Sequence, residues 1–437
     1  MFIGRKEELR QLENYFSSEH SNLLVVYGRV GMGKTTLALK FCEGRNYLYY
    51  KATECSIDDQ ITQINKKIAP KLNNTADKSV KRILVIDEFT FAACEELKNR
   101  VLNLVRDEEK YGPVMVLLLS SSINWVENSM VSEYKELARS ISGIIKLKEI
   151  SFAETVEWFP KTTASDCVII RAVLGGIPKY LNLWQENRRV RENIISLFFS
   201  MESPLINEAE YVLKGELREL GAYNTILCAL ASGKNKLNDI FEATGFGRAK
   251  ISVYLKNLAE MDIVEKIYSV NVKNSENTKK GLYRIKDSFI NFYYAYVFPN
   301  MSEIECAQGK LLYNKVLLPD FDRYMRRSFS DVCREYLELM SKYKRLGKRY
   351  SQWYCWYGKK GTLDIIGLDN EKNAIVGMCH YSDAKAGDET LDEMKDLINE
   401  AGIIPTKLCI FSKSGFEHEL IKSAKEEQIM TVSLSDL

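Results

Sequence analysis

Apolar residues in this chain fall into short unbroken runs near the N-terminus and into periodic stripes further along. The runs at 23–27, 48–50, 83–86 and 114–119 are apolar at every position, and each gives way to polar or glycine-rich sequence. Continuous apolarity of this length suits strands of a parallel sheet covered on both faces. Residues 36–41, 57–72 and 91–108, which separate the runs, carry a helical period. Alternation of strand and helix predicts an α/β domain with a doubly wound parallel sheet over residues 1–150. Ahead of the first strand, Leu9, Leu12 and Tyr15 recur at intervals of three among charged residues, which predicts an amphipathic helix within 2–18.

The pattern then changes. Residues 151–215 are helical in period, with few turn signals before Gly175-Gly176, and form a second segment. Residues 216–286 hold helical stripes at 223–230, 237–244 and 249–258, then strand-like runs at 263–268 and 282–285. Three short helices followed by a two-stranded wing predict a winged helix-turn-helix. From 287 to 437 the pattern predicts a helix over 325–341 and strands at 352–357, 362–368 and 374–381. A helix at 390–401 and a strand at 407–411 follow.

The first apolar run leads into Gly28-Arg29-Val30-Gly31-Met32-Gly33-Lys34-Thr35-Thr36, which fits the phosphate-binding pattern G-x-x-x-x-G-K-[S/T] at every fixed position. Glycines let successive backbone N–H groups turn toward one phosphate group, and the helix behind adds its positive end. Lys34 is placed to reach the β- and γ-phosphates, and the Thr35 hydroxyl to ligate Mg²⁺. The third run ends in Asp87-Glu88. A carboxylate at the C-terminal edge of a buried parallel strand stands where open α/β sheets bind ligands. Asp87 is the candidate to hold Mg²⁺ through water, and Glu88 to orient or deprotonate the attacking water. The fourth run ends in Ser120-Ser121-Ser122, polar groups within reach of the γ-phosphate or that water.

Composition narrows the setting. Apolar residues make up 46% of the 437 and charged residues 27%, ordinary for a globular protein of more than one domain. The net charge of +2 carries no whole-chain preference for nucleic acid. Ten cysteines occur without a C-x-x-C pair and there are three histidines, which argues against structural zinc and fits a reducing, cytoplasmic setting. No apolar run is long enough to span a bilayer, so no membrane partner is expected.

These features together resemble the archaeal-type ATPase family, a branch of the P-loop NTPases close to the AAA+ and STAND groups. The resemblance rests on Phe2-Ile3-Gly4-Arg5 with Glu7-Glu8, the phosphate loop, Ile86-Asp87-Glu88-Phe89, the serines at 120–122, residues 145–152, and Gly175-Gly176-Ile177-Pro178. It implies ATP, cycled to ADP, as the nucleotide, and Mg²⁺-dependent hydrolysis driving a conformational switch. It places Arg5 by the nucleotide base, Ser121 at the sensor position and Pro178 in a helical lid over the nucleotide. Where that family often has two arginines, this chain has Ser140 and Ile141, with Arg139 one step away.

Between 222 and 286, eleven Lys/Arg stand against six Asp/Glu, a net of +5. Arg248, Lys250, Lys256, Lys273, Lys279 and Lys280 suit phosphate contacts with DNA or RNA. The same element in related ATPases also serves as an intramolecular clamp, so both roles stand. The last segment, 287–437, resembles a C-terminal extension related to PD-(D/E)xK nucleases, a restriction-endonuclease-like α/β fold. Asp364 occupies its aspartate position, but Met378 and His380 replace the usual Glu-x-Lys. One carboxylate does not make a Mg²⁺ cage, so nuclease activity is not expected. Lys344, Arg345, Lys348 and Arg349, followed by Trp353, Tyr354, Trp356 and Tyr357, read equally as a nucleic-acid surface or as a basic loop leading into an aromatic core strand. A protein partner or self-association is a further expectation.

Overall fold

The computed structural model describes residues 2–67, 80–269 and 281–437. The chain divides into two compact units. One comprises residues 1–150 with 177–179; the other comprises 151–176 with 180–437.

The first unit opens with helix α1 (Lys6–Phe16). The predicted helix starts no earlier because Gly4 and Arg5 take positive φ, 73° and 63°. Strands β1 (Asn22–Tyr27), β2 (Tyr47–Lys51), β3 (Arg82–Asp87), β4 (Val114–Ser120) and β5 (Gly143–Lys146) form one sheet in the order β2-β3-β4-β1-β5. Every neighbouring pair is parallel. Strands β1, β3 and β4 are buried at each position, which is what their unbroken apolar runs require. Helix α2 (Lys34–Cys42) leaves the phosphate loop, and α3 (Ile57–Lys67) precedes β3. The remainder of the stripe read over 57–72 lies outside the described residues.

The helix expected at 91–108 is broken instead. A short turn at Phe89–Ala92 comes first, and α4 runs from Glu95 to Arg106. Cys94 is the reason: its extended backbone and its Sγ, accepting the Leu97 N–H, cap the new helix.

In the second unit, α5 (Ala164–Leu174) ends at Gly175, whose φ of 66° stops the helix. Helices α6 (Leu220–Ala231), α7 (Leu237–Thr244) and α8 (Arg248–Glu260) precede antiparallel strands β6 (Val264–Tyr268) and β7 (Gly281–Ile285). This is the winged helix-turn-helix expected from the sequence. Lys273, Lys279 and Lys280 lie outside the described residues. Helix α9 (Ser288–Phe292) carries an aromatic core. Helix α10 runs from Leu318 to Lys342, a turn or more longer than predicted at its start because Pro319 fits the first helical turn. The last sheet is mixed, in the order β12-β11-β10-β9-β8. It is built from β8 (Gln352–Tyr357), β9 (Thr362–Leu368), β10 (Ala374–His380), β11 (Pro405–Ser412) and β12 (Met430–Ser433). No helix among the described residues is long and apolar enough to cross a membrane.

Candidate nucleotide site

The order of the first sheet decides what meets at its C-terminal edge. Strand β4 lies between β1 and β3. The phosphate loop, the serines after β4 and the Asp87-Glu88 pair therefore emerge side by side, although more than eighty residues separate the first from the second.

Gly28, Gly31 and Gly33 all have positive φ, 151°, 88° and 86°. Two of these glycines are also forced by close approach. A Cβ on Gly28 would stand 2.7 Å from the Leu147 carbonyl, and one on Gly31 would stand 2.9 Å from Lys179 Cβ. Gly33 is the N-cap of α2 and no side chain caps it, which leaves the first-turn N–H groups for an anion. Arg29 and Met32 are buried, while Val30 and Thr36 are exposed.

Pro178 sits against the loop: its Cγ would lie 3.9 Å from a Cβ on Gly33, and the Lys179 N–H donates to the Gly31 carbonyl at 3.2 Å. Arg5 is buried against the same loop. Its Nη2 donates to the Met32 carbonyl at 3.1 Å and its Nη1 to Glu8 at 3.0 Å.

Lys34 folds back onto its own loop, donating to the carbonyls of Gly28 (2.7 Å) and Arg29 (3.1 Å). Burial lowers its pKa to about 8, against the opposing pull of Glu88 and Asp87. Below about pH 8 the buried ammonium costs stability, and the cost is relieved as pH rises toward the unfolded value of 10.5. A bound polyphosphate favours the charged form. Above pH 8, nucleotide binding should therefore take up a proton, approaching one per nucleotide at about pH 9 and little near pH 7. Calorimetry in buffers of differing ionisation enthalpy measures this, and equal uptake at both pH values would contradict it.

Behind the loop, Thr35 Oγ1 donates to Asp87 Oδ2 at 2.6 Å, and the Glu88 N–H donates to Asp87 Oδ1 at 3.0 Å. Tyr49 Oη also donates to Asp87 Oδ2, at 2.7 Å. Burial, then the bond to Asp87, raises the Tyr49 hydroxyl well above its ordinary range. Sequence reasoning missed Tyr49, which sits in an apolar strand with nothing to mark it. Glu88 adopts φ +52°, left-handed backbone that a non-glycine residue rarely takes. Its carboxylate is held by Ser121, whose hydroxyl donates at 2.5 Å and whose N–H donates at 3.2 Å. Ser140, one of the positions lacking an arginine, receives the Arg106 guanidinium at 3.2 Å.

The site residues read from the sequence thus fall into a nucleotide group and scattered cations. Lys34, Thr35, Asp87, Glu88, Ser121, Arg5 and Pro178 all belong to the first unit. Arg248, Lys250 and Lys256 are exposed on α8. Arg248 also lies over the Phe241 ring (4.4 Å), Lys250 over Phe246 (4.8 Å), and Lys256 pairs with Glu260 at 3.6 Å. Lys344, Arg345, Lys348 and Arg349 are exposed too, but Lys348 pairs with Glu371 (3.3 Å) and Asp369 (3.6 Å). The rings beside them are divided: Tyr350 is buried, and Tyr354 and Trp356 pack on the core of the last domain.

Asp364 accepts the Cys379 N–H at 2.8 Å, and burial first of all pushes its pKa up to about 6. Among the described residues no three acidic, thiol or imidazole groups gather as a metal site.

Comparison with known proteins fits this geometry. Residues 2–74 match an ATPase domain found predominantly in Archaea. Over 410 residues, 89% of either chain, the sequence is 30% identical to an uncharacterised protein of Methanocaldococcus jannaschii. The chain belongs to the archaeal ATPase family. An uncharacterised ATP-binding protein of the same organism is 47% identical over 45 residues, 10% of this chain and 76% of that one. Residues 224–266 match bacterial regulatory proteins of the arsR family, and 293–391 match archaeal and bacterial proteins of unknown function. Among solved structures, the Walker-type ATPase of Pyrococcus abyssi is similar at 17% identity, over 67% of this chain and 96% of that one, with a TM-score of 0.45. The ORC2 protein of Aeropyrum pernix is similar at 14% identity, over 69% and 95%, with a TM-score of 0.40.

Proposed function

We propose that this member of the archaeal ATPase family hydrolyses ATP with Mg²⁺ at the phosphate loop and uses the cycle as a conformational switch on nucleic acid. The observation that carries this reading is a pair of prearranged contacts at adjacent strand ends, Thr35 on Asp87 and Ser121 on Glu88. A hydroxyl and a carboxylate oxygen 2.6 Å apart are hard donors that suit a small divalent cation retaining several of its waters. Thr35 and Asp87 would hold Mg²⁺ there, and it would supply charge neutralisation for the phosphates.

The chain's own groups supply the rest. The loop N–H groups and Lys34 bind and orient the phosphates, once Lys34 exchanges its carbonyl partners for phosphate oxygens. Glu88, fixed by Ser121 and clear of Asp87's two engaged oxygens, accepts a proton from the attacking water. Arg5 and Pro178 both brace the loop, Arg5 through the Met32 carbonyl and Pro178 beside Gly33. The exposed cations of α8 supply phosphate contacts to duplex DNA, as the match to a regulatory helix-turn-helix suggests.

One experiment tests both halves. Phosphate release by the full chain is measured with and without Mg²⁺ and duplex DNA, beside Lys34→Ala. Lys34→Ala should lose about 10²-fold or more in turnover. Duplex affinity should fall with salt at a log–log slope of about −0.9 per phosphate contacted. Equal turnover in Lys34→Ala would sink the hydrolytic reading, and salt-independent or undetectable DNA binding would sink the second half.

A further inference from the structure

A cavity of about 580 Å³ lies wholly within the second unit. One face of α10 forms one wall, strands β6 and β7 a second, and β8 with β9 the third. The walls are joined where Ser269 bridges Cys355 and its Oγ accepts the Tyr357 N–H at 3.1 Å. The volume falls within the range of small-molecule sites, about 300–1,000 Å³.

Its charge is one-sided. Six cations line it (Lys266, Arg284, Arg323, Arg326, Arg327 and Arg334) against Glu265, Asp331 and Asp364. Some of the cations are spent. Arg284 bonds Glu265 at 2.5 Å and reaches Asp331 at 3.3 Å; Arg323 is bidentate on Asp320. Others are not. Among the described residues neither Arg326 nor Lys266 has an ion pair; Arg326 lies near enough to Asp364 for the charges to interact, and Lys266 lies over the rings of Tyr268 and Tyr283. Arg334 is partly engaged: its Nη2 stands 3.5 Å from Asp331 and its buried Nε 3.6 Å from Glu338, the latter beyond hydrogen-bond distance. A buried guanidinium N–H with no acceptor at hydrogen-bond distance is costly, and a closer oxyanion relieves it. Tyr354 and Tyr357 line the wall opposite α10.

We propose that this cavity is a second binding site, one for a nucleoside phosphate, with the phosphate on Arg326 and Arg334 and the base against the tyrosines of β8. Guanidinium forks match phosphate oxygens in pairs, and aromatic faces take a base of any identity. The ligand is either a free nucleotide or the 5′-phosphorylated end of a strand. The site is independent of the phosphate loop.

The test is equilibrium dialysis of the full chain carrying Lys34→Ala, with labelled AMP, UMP and 5′-phosphorylated dithymidine as probes. Saturable binding of about one probe per chain is expected. Arg326→Gln, at an exposed position that should not disturb folding, should weaken it about tenfold, and so should Arg334→Lys, which keeps the charge but loses the fork. ATP binding by Arg326→Gln with Lys34 restored should match wild type and shows that the fold is intact. Mononucleotides binding as tightly as the dinucleotide identifies a free nucleotide; a tighter dinucleotide identifies a strand end. Absence of saturable binding with every probe, or unchanged affinity in a folded Arg326→Gln, overturns the proposal.

Discussion

Glu88→Gln should keep ATP bound while turnover falls by about 10²–10⁴-fold, the range over which a positioned base contributes. The substitution is nearly isosteric. The Ser121 N–H and hydroxyl donate to different oxygens of Glu88, so the amide oxygen still accepts from the N–H while the hydroxyl turns to accept from the amide NH2. Asp87, Thr35 and Lys34 are untouched, and with them the grip on the phosphates. What is lost is the ability to take a proton from water. Single-turnover hydrolysis beside nucleotide retention separates the two effects. Turnover within about threefold of wild type would assign the proton to another group, and a matching loss of binding would make Glu88 structural.

Phe292→Ala should cost about 3–5 kcal/mol of stability in the second unit. Phe292 is fully buried on α9. Its ring centroid lies 4.7 Å from Phe198, 5.3 Å from Tyr296 and 5.8 Å from Tyr324. Helical segments before the winged helix and after it thus share one aromatic core. The Tyr324 hydroxyl donates to the Ala172 carbonyl at 2.9 Å and the Tyr296 hydroxyl to Asp320 at 2.7 Å, so the surrounding rings are pinned and collapse poorly into a void. A urea midpoint shift worth less than about 1 kcal/mol would mean that the site repacks. The cost belongs to the volume removed, so Phe292→Leu should recover most of it.

The candidate nucleotide-binding edge was legible because its chemistry is local in sequence. A phosphate loop must be glycine-rich, and an acidic pair after an apolar strand marks a ligand-facing strand end. The sheet and the winged helix followed from apolar runs and stripes that match what is buried. The backbone setting of Glu88 and the tyrosine on Asp87 were not legible. Parallel register pairs Lys51 with Asp87, yet it is Tyr49, two residues earlier, whose hydroxyl reaches that carboxylate. The arginine-lined cavity was hidden for a different reason. Arg284 comes from β7, Arg326 and Arg334 from α10, and the tyrosines from β8. No window of sequence holds all three. The basic-aromatic stretch at 342–357, by contrast, looked like one surface because its residues are adjacent, and the fold sends its rings and its cations to different places.

Lys34 resting on the carbonyls of Gly28 and Arg29 acts as a placeholder. On the proposed reading, a loop held by its own ammonium needs little further ordering when a triphosphate arrives. The exchange swaps two weak dipoles for full anions without rebuilding the backbone. Arrival should then be set by encounter, while residence time carries the discrimination between triphosphate and diphosphate. In a slow switch, the lifetime of the bound nucleotide is the interval being timed.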